Sequence, residues 1–186
     1  MANNELIYEM LKGQYNFKKD LSKNHSHEDW ACKYIVDSKL ALKATLVDST
    51  DKINRKVLDM IIENPNHIAE IKKDIGCFKS GNIFFETESR GNFSGITTTK
   101  SDWWFQSYYC IDGKMRTGIA ETKDVRDLLN MPGFKKLSGG DKKNGHGVST
   151  GILVPWDEYQ SNCFHVSEMD ILDYLEAIGL AEEYKK

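Results

Sequence analysis

Apolar residues recur at helical spacing at the start of the chain, where Leu6, Ile7, Met10 and Leu11 predict a helix over residues 1–12. Residues 13–23 read as a polar connection dotted with aromatics. Ser26 can cap a second helix, HEDWACKYIVDSKLAL, whose stripe is Trp30, Ala31, Tyr34, Ile35 and Leu42. After a polar loop at 49–56 the period changes. Residues 57–63 (VLDMIIE) and 68–74 (IAEIKKD) read as short strands around Asn64-Pro65-Asn66-His67, a strong turn signal. NIFFETES at 82–89 predicts a third strand. A Gly-, Ser- and Thr-rich loop then leads to Trp103-Trp104, expected at the start of a helix and in the core. Residues 107–111 and 115–120 flank Asp112-Gly113, a hairpin turn, and VRDLLN reads as a short helix.

The remainder divides into a glycine- and lysine-rich segment at 135–151, a short strand at 152–154, and a C-terminal helix at 167–184 capped by Ser167. No repeat or linker divides the chain. It reads as one domain, 1–186, with a helical N-terminal part (1–45), a sheet core (57–120), a flexible basic loop (135–151) and the last helix. The fold class is α/β, a mixed sheet flanked by helices.

The strand His67–Asp74, HIAEIKKD, carries more charge than a buried strand tolerates. With residues 65 and 66 at the turn centre, Ile61 faces Glu70 and Asp59 faces Lys72. Alternation then projects Asp59, Glu70, Lys72 and Asp74 to one face and Lys73 to the other. A one-residue slip would separate them. Two carboxylates beside an ammonium suit a hard divalent cation, Mg²⁺ or Mn²⁺, which polarises a phosphodiester while the lysine orients water or stabilises developing charge. Solvated charges and an ordinary surface ion pair are the plain alternative. Asp74 either orients Lys72 or meets solvent.

Asp59, ten residues, then Glu70-Ile71-Lys72 resembles the motif of the PD-(D/E)XK nuclease superfamily; Leu58 stands where the proline of that name would be. The stretch EIKKD…SGNIFFETESRGNFSGITTTKSDWW resembles a branch of small nucleases, many of them phage-encoded, over residues 57–104. The resemblance implies a restriction-endonuclease-like sheet flanked by helices. It implies a metal-dependent deoxyribonuclease with Asp59, Glu70 and Lys72 as catalytic residues, and cleavage to a 5′-phosphate and 3′-hydroxyl. It also draws in Glu28 as a further metal ligand from the helix before the motif, although a helix-start acid complementing the dipole accounts for it equally. Glu86 joins Asp74 as a supporting residue, its side of the sheet undetermined. Thr98, Thr99 and Lys100 would contact DNA phosphates from a helix N-terminus, and Lys142 and Lys143 from the basic loop.

Composition narrows this little. The chain has 186 residues, 40% of them hydrophobic, enough for a core, and a net charge of −3 that disfavours non-specific coating of nucleic acid. No apolar run is long enough to span a membrane and the N-terminus is unlike a signal peptide, so no membrane partner and a cytoplasmic location are expected, the host's if phage-encoded. The four cysteines show no CxxC spacing, and His25 and His27 lack further ligands at zinc spacing. DNA is the expected partner, with a homodimer left open. A DNA-binding or assembly protein that keeps the fold without turnover is the alternative function.

Overall fold

The computed structural model describes residues 4–5, 7–8, 17–47, 59–63, 66–139 and 148–180. The elements in order are α1 (Phe17–Asp37), β1 (Lys43–Leu46), β2 (Met60–Glu63), β3 (His67–Asp74), α2 (Cys77–Ser80), β4 (Asn82–Ser89), β5 (Asn92–Phe93), a 3₁₀ turn at Gly95–Thr97, β6 (Trp103–Tyr109), β7 (Lys114–Glu121), α3 (Thr122–Leu129), β8 (Lys135–Gly139), β9 (Ser149–Pro155), α4 (Trp156–Ser161), β10 (His165–Asp170) and α5 (Ile171–Ala177).

Among the described residues ten strands form two sheets, so the protein is mixed α/β with more strand than the sequence suggested. The larger sheet runs β1-β2-β3-β6-β7-β10. Among the described residues only its β3–β6 pairing is parallel, with Glu70 beside Trp104 and Lys72 beside Gln106. The smaller sheet, β5-β4-β9-β8, is antiparallel throughout. Alternation assigns the two faces of the larger sheet to two cores. Met60, Ala69, Ile71 and Phe105 face one way and bury against Trp30, Ala31 and Ile35 of α1 and Tyr174 and Leu175 of α5. Trp104, Tyr108 and Ala120 face the other way, against Ile83 and Phe85 of β4, Val154 of β9, Val125 and Leu128 of α3 and Tyr159 of α4.

Several boundaries differ from expectation, each for a local reason. α1 begins at Phe17, inside the segment read as a connection, and stops at Asp37 rather than Leu42. Lys39 takes a left-handed φ of 58°, and the Leu40 N–H closes onto the Ile35 carbonyl at 3.1 Å, a helix-ending arrangement. The freed chain forms β1, within the part expected to be helical. Trp103-Trp104 opens a strand, not a helix: all seven residues of β6 are buried, because it lies mid-sheet with a core on each face. Thr99 therefore does not stand at a helix N-terminus: the next element after it is β6. Lys135–Gly139, placed in a flexible loop, is an exposed edge strand paired with β9. The C-terminal helix is shorter than 167–184: residues through Asp170 are strand β10, and Asp170, not Ser167, caps α5 by accepting from the Leu172 N–H at 2.9 Å.

The β2–β3 register is the correction that matters most. Met60 pairs with Ala69, Ile61 with Ile68 and Ile62 with His67, two residues away from the pairing expected. A shift of two is even, so the charged face survives it.

Candidate functional site

Asp59 precedes β2, and its backbone N–H donates to the Ala69 carbonyl at 3.0 Å, extending the hairpin pairing by one residue. Its side chain turns toward β3, where Oδ2 accepts from the Ile71 N–H at 2.9 Å. Lys72 Nζ lies 3.5 Å from the same Oδ2 and forms an ion pair with Glu70 Oε1. The two carboxylates and the ammonium expected from alternation therefore do converge. Burial pulls the Lys72 ammonium toward neutrality, but the charges of Asp59 and Glu70 outweigh it and hold its pKa above the ordinary lysine value. The lysine is charged near neutrality, with 39% of its side chain exposed.

Glu70 is the most enclosed of the three, 9% exposed. Its second oxygen, Oε2, accepts from the Thr99 hydroxyl at 3.1 Å. Thr99 was expected to meet DNA phosphates, but at 5% exposure it faces inward to the carboxylate. Thr98 and Lys100 on either side of it are exposed. Lys142 and Lys143 lie outside the described residues.

Asp74 neither orients Lys72 nor simply meets solvent. Its Oδ1 accepts from the N–H groups of Gly76 at 2.7 Å and Cys77 at 3.3 Å, and its Oδ2 from Phe84 N–H at 2.7 Å. It thereby ties the end of β3 to α2 and to the start of β4. Burial raises its pKa in spite of those three donors.

Glu86 comes from the other sheet, and with Lys72, Asp74, Phe84, Trp104 and Gln106 it lines a cavity of about 310 Å³. Ser94 Oγ donates to its Oε1 at 2.7 Å and Ser149 Oγ to its Oε2 at 2.6 Å. β4 is irregular immediately beyond, between Glu86 and Glu88. Gly95, at φ +55°, passes so close that a Cβ would stand 2.4 Å from the Glu86 carbonyl oxygen, so only glycine fits.

Glu28 is not gathered into this group. It lies on α1, whose buried residues pack on the opposite face of the larger sheet, and its charge acts on Cys32 one turn along. Among the described residues no set of three or more His, Cys, Asp or Glu side chains is arranged to hold a metal ion. The donors available to a cation are the two carboxylates already converging on the Lys72 ammonium. That pair fits a hard divalent ion that takes its remaining ligands from water and a phosphate.

Sequence reasoning missed the residues that support the trio. Lys72 Nζ lies 5.9 Å from the centre of the Trp104 ring, and Trp104 Nε1 donates to Gln106 Oε1 at 3.0 Å. Arg126 of α3 donates from Nε to the Ile96 carbonyl at 3.0 Å and from Nη2 to the Thr99 carbonyl at 2.6 Å. The parallel β3–β6 pairing brings Trp104 and Gln106 beside Glu70 and Lys72, and no local pattern announces a parallel pairing. A larger groove of about 520 Å³, lined by Asp29, Trp30, Lys33, Tyr34, Asp37 and Met169 among others, lies on the α1 side. No helix among the described residues is long and apolar enough to cross a membrane. No protein-family model, no curated protein and no solved structure matches this chain.

Proposed function

We propose that this protein is a divalent-metal-dependent deoxyribonuclease of the PD-(D/E)XK type. The observation that carries the reading is the Lys72 ammonium held between Asp59 and Glu70 across one hairpin. The motif resemblance over residues 57–104 supports it, as does a mixed sheet with α1 and α5 on one face. The restriction-endonuclease-like assignment of the fold belongs to the same proposal.

Asp59 and Glu70 would hold Mg²⁺ or Mn²⁺, which when bound polarises a phosphodiester and acidifies water. Asp59 is fixed for this by the Ile71 N–H, and Glu70 by Thr99. Lys72, kept protonated by its two neighbours, donates hydrogen bonds toward an attacking water or a phosphoryl oxygen that is gaining charge. Trp104 and Gln106, both buried, line the adjacent cavity beside the ammonium. Thr98 and Lys100, exposed beside the buried Thr99, are positioned to meet a phosphate backbone.

The test is a cleavage assay with Mg²⁺ or Mn²⁺ across supercoiled, linear, nicked, single-stranded and four-way-junction DNA, with sizing of the free protein to detect a dimer. The expected result is cleavage abolished by chelator and reduced roughly 10²-fold or more in Lys72→Ala. Homogeneous protein that leaves every substrate intact, or a Lys72→Ala variant that cuts as fast as wild type, would overturn the reading. DNA binding without cleavage would support the silent DNA-binding alternative.

A further inference from the structure

Thr99, Ser101 and Thr122 are 5%, 5% and 2% exposed, three buried hydroxyls in a row where apolar residues would pack at less cost. Their oxygens form a chain. Thr99 Oγ1 lies 3.1 Å from Glu70 Oε2 and 2.9 Å from Ser101 Oγ, and Ser101 Oγ lies 3.1 Å from Thr122 Oγ1. Thr99 Oγ1 is the donor to both Glu70 Oε2 and Ser101 Oγ, its single proton shared between them, and between Ser101 and Thr122 either hydroxyl can donate. The Ser101 N–H donates to Thr99 Oγ1, at 3.2 Å.

The backbone at the same place is held independently. Arg126, one turn beyond Thr122 on α3, donates to the carbonyls of Ile96 and Thr99. The Thr122 N–H donates to the Asp102 carbonyl at 2.8 Å, and the Asp102 carboxylate accepts from the Ile68 N–H of β3 at 3.0 Å. The start of α3 is thus fastened both to the turn carrying Thr99 and to the strand carrying Glu70.

We infer that Thr99 is a positioning residue for Glu70, and that the Thr122–Ser101–Thr99 hydroxyl row, braced by Arg126, orients that carboxylate for a divalent cation. This rests on the metal-dependent reading above and deepens it. A hydroxyl aimed at Oε2 restricts the carboxylate's rotation, leaving Oε1, now paired with Lys72, directed at the shared centre with Asp59. Outer partners of this kind govern how tightly a preformed ligand pair takes up metal.

The experiment is Mn²⁺ titration of the full chain, followed by the electron paramagnetic resonance signal of free ion, for wild type, Thr99→Val, Thr99→Ser and Arg126→Met. Each variant's fold is checked by thermal unfolding. Thr99→Val keeps the shape but loses the hydroxyl, and is expected to bind Mn²⁺ about 10- to 100-fold more weakly. Thr99→Ser restores the donor and is expected to bind close to wild type, a rescue that a purely packing role for the threonine would not give. Arg126→Met is expected to weaken binding in the same direction without altering any side chain that touches Glu70, and it carries the test if Thr99→Val fails to fold. Equal affinity in wild type, Thr99→Val and Arg126→Met, or a Thr99→Ser as impaired as Thr99→Val, overturns the positioning role while leaving the metal reading intact. A wild type that binds no Mn²⁺ overturns both.

Discussion

Replacing Lys72 by methionine separates two things the ammonium does. In the free protein it offsets one of the two negative charges of Asp59 and Glu70, so a divalent cation approaching the pair meets a positive charge already in place. The substitution takes the formal charge of the trio from −1 to −2 and keeps most of the side-chain volume. At the 3.5 Å that separates Nζ from Asp59 Oδ2, with 39% of the lysine side chain exposed, the water-like limit of screening applies. A unit charge and a divalent ion at that spacing repel by about 2 kcal/mol in this limit, close to a thirtyfold change in affinity. Lys72→Met is therefore expected to bind Mn²⁺ some ten- to thirtyfold more tightly than wild type by calorimetric titration, while cleaving DNA at least about 10²-fold more slowly. Without metal it should melt at a lower temperature, because Glu70 and Asp59 then face each other uncompensated, and Mn²⁺ should recover the difference. A folded Lys72→Met that binds Mn²⁺ no better than wild type refutes the premise that the ammonium and the metal compete for the same oxygens.

Other outcomes follow from neighbouring features. Asp74→Ala leaves the N–H groups of Gly76, Cys77 and Phe84 without their acceptor and is expected to lower stability by about 3 kcal/mol in urea unfolding; an unchanged midpoint would remove Asp74 as the tie between the sheets. Gly95→Ala forces a Cβ to 2.4 Å from the Glu86 carbonyl at a left-handed φ and should lose roughly 2 kcal/mol or more, a loss absent if that turn can move aside. His27 is buried against Tyr174, whose hydroxyl lies 2.9 Å from Nδ1, and burial followed by the charge of Lys73 lowers its pKa from 6.5 to about 3. The folded state keeps the imidazole neutral across that window while the unfolded chain takes up a proton. Stability should therefore fall as pH drops below 6.5 toward 3, by up to about 1.4 kcal/mol per pH unit from this group, with no contribution above 6.5. His27→Gln should flatten that slope in pH-dependent denaturation, and an equally steep slope in the variant would assign the acid sensitivity elsewhere.

The part of the site legible in the sequence was the part governed by parity. Asp59, Glu70 and Lys72 share a face whether the hairpin turns about 65 and 66 or two residues in register away, because an even error leaves a period-two pattern unchanged. The environment of those three residues was not legible. WWFQSYY shows no alternation, since a strand buried on both faces has none to show, and its parallel partner β3 lies back along the chain beyond α2, β4 and β5. HVSEMDILDYLEA carries apolar residues at spacings that suit a helix, yet β7 recruits its first half as an edge strand through six residue pairs. Thr99 illustrates the same limit at a single position. Its neighbours Thr98 and Lys100 are exposed, and only contact with a carboxylate far along the chain marks Thr99 as an interior residue.

The separations along the chain also fix an order of construction. Asp59 and Ile71 are joined across 12 residues, so the hairpin bearing both carboxylates can close soon after it leaves the ribosome. The hydroxyl that steadies Glu70 arrives 29 residues later, and the Ser149 that holds Glu86 comes 63 residues after it. During synthesis the charges of this centre are present well before the framework that aims them, and its final geometry waits for the last strands of the smaller sheet.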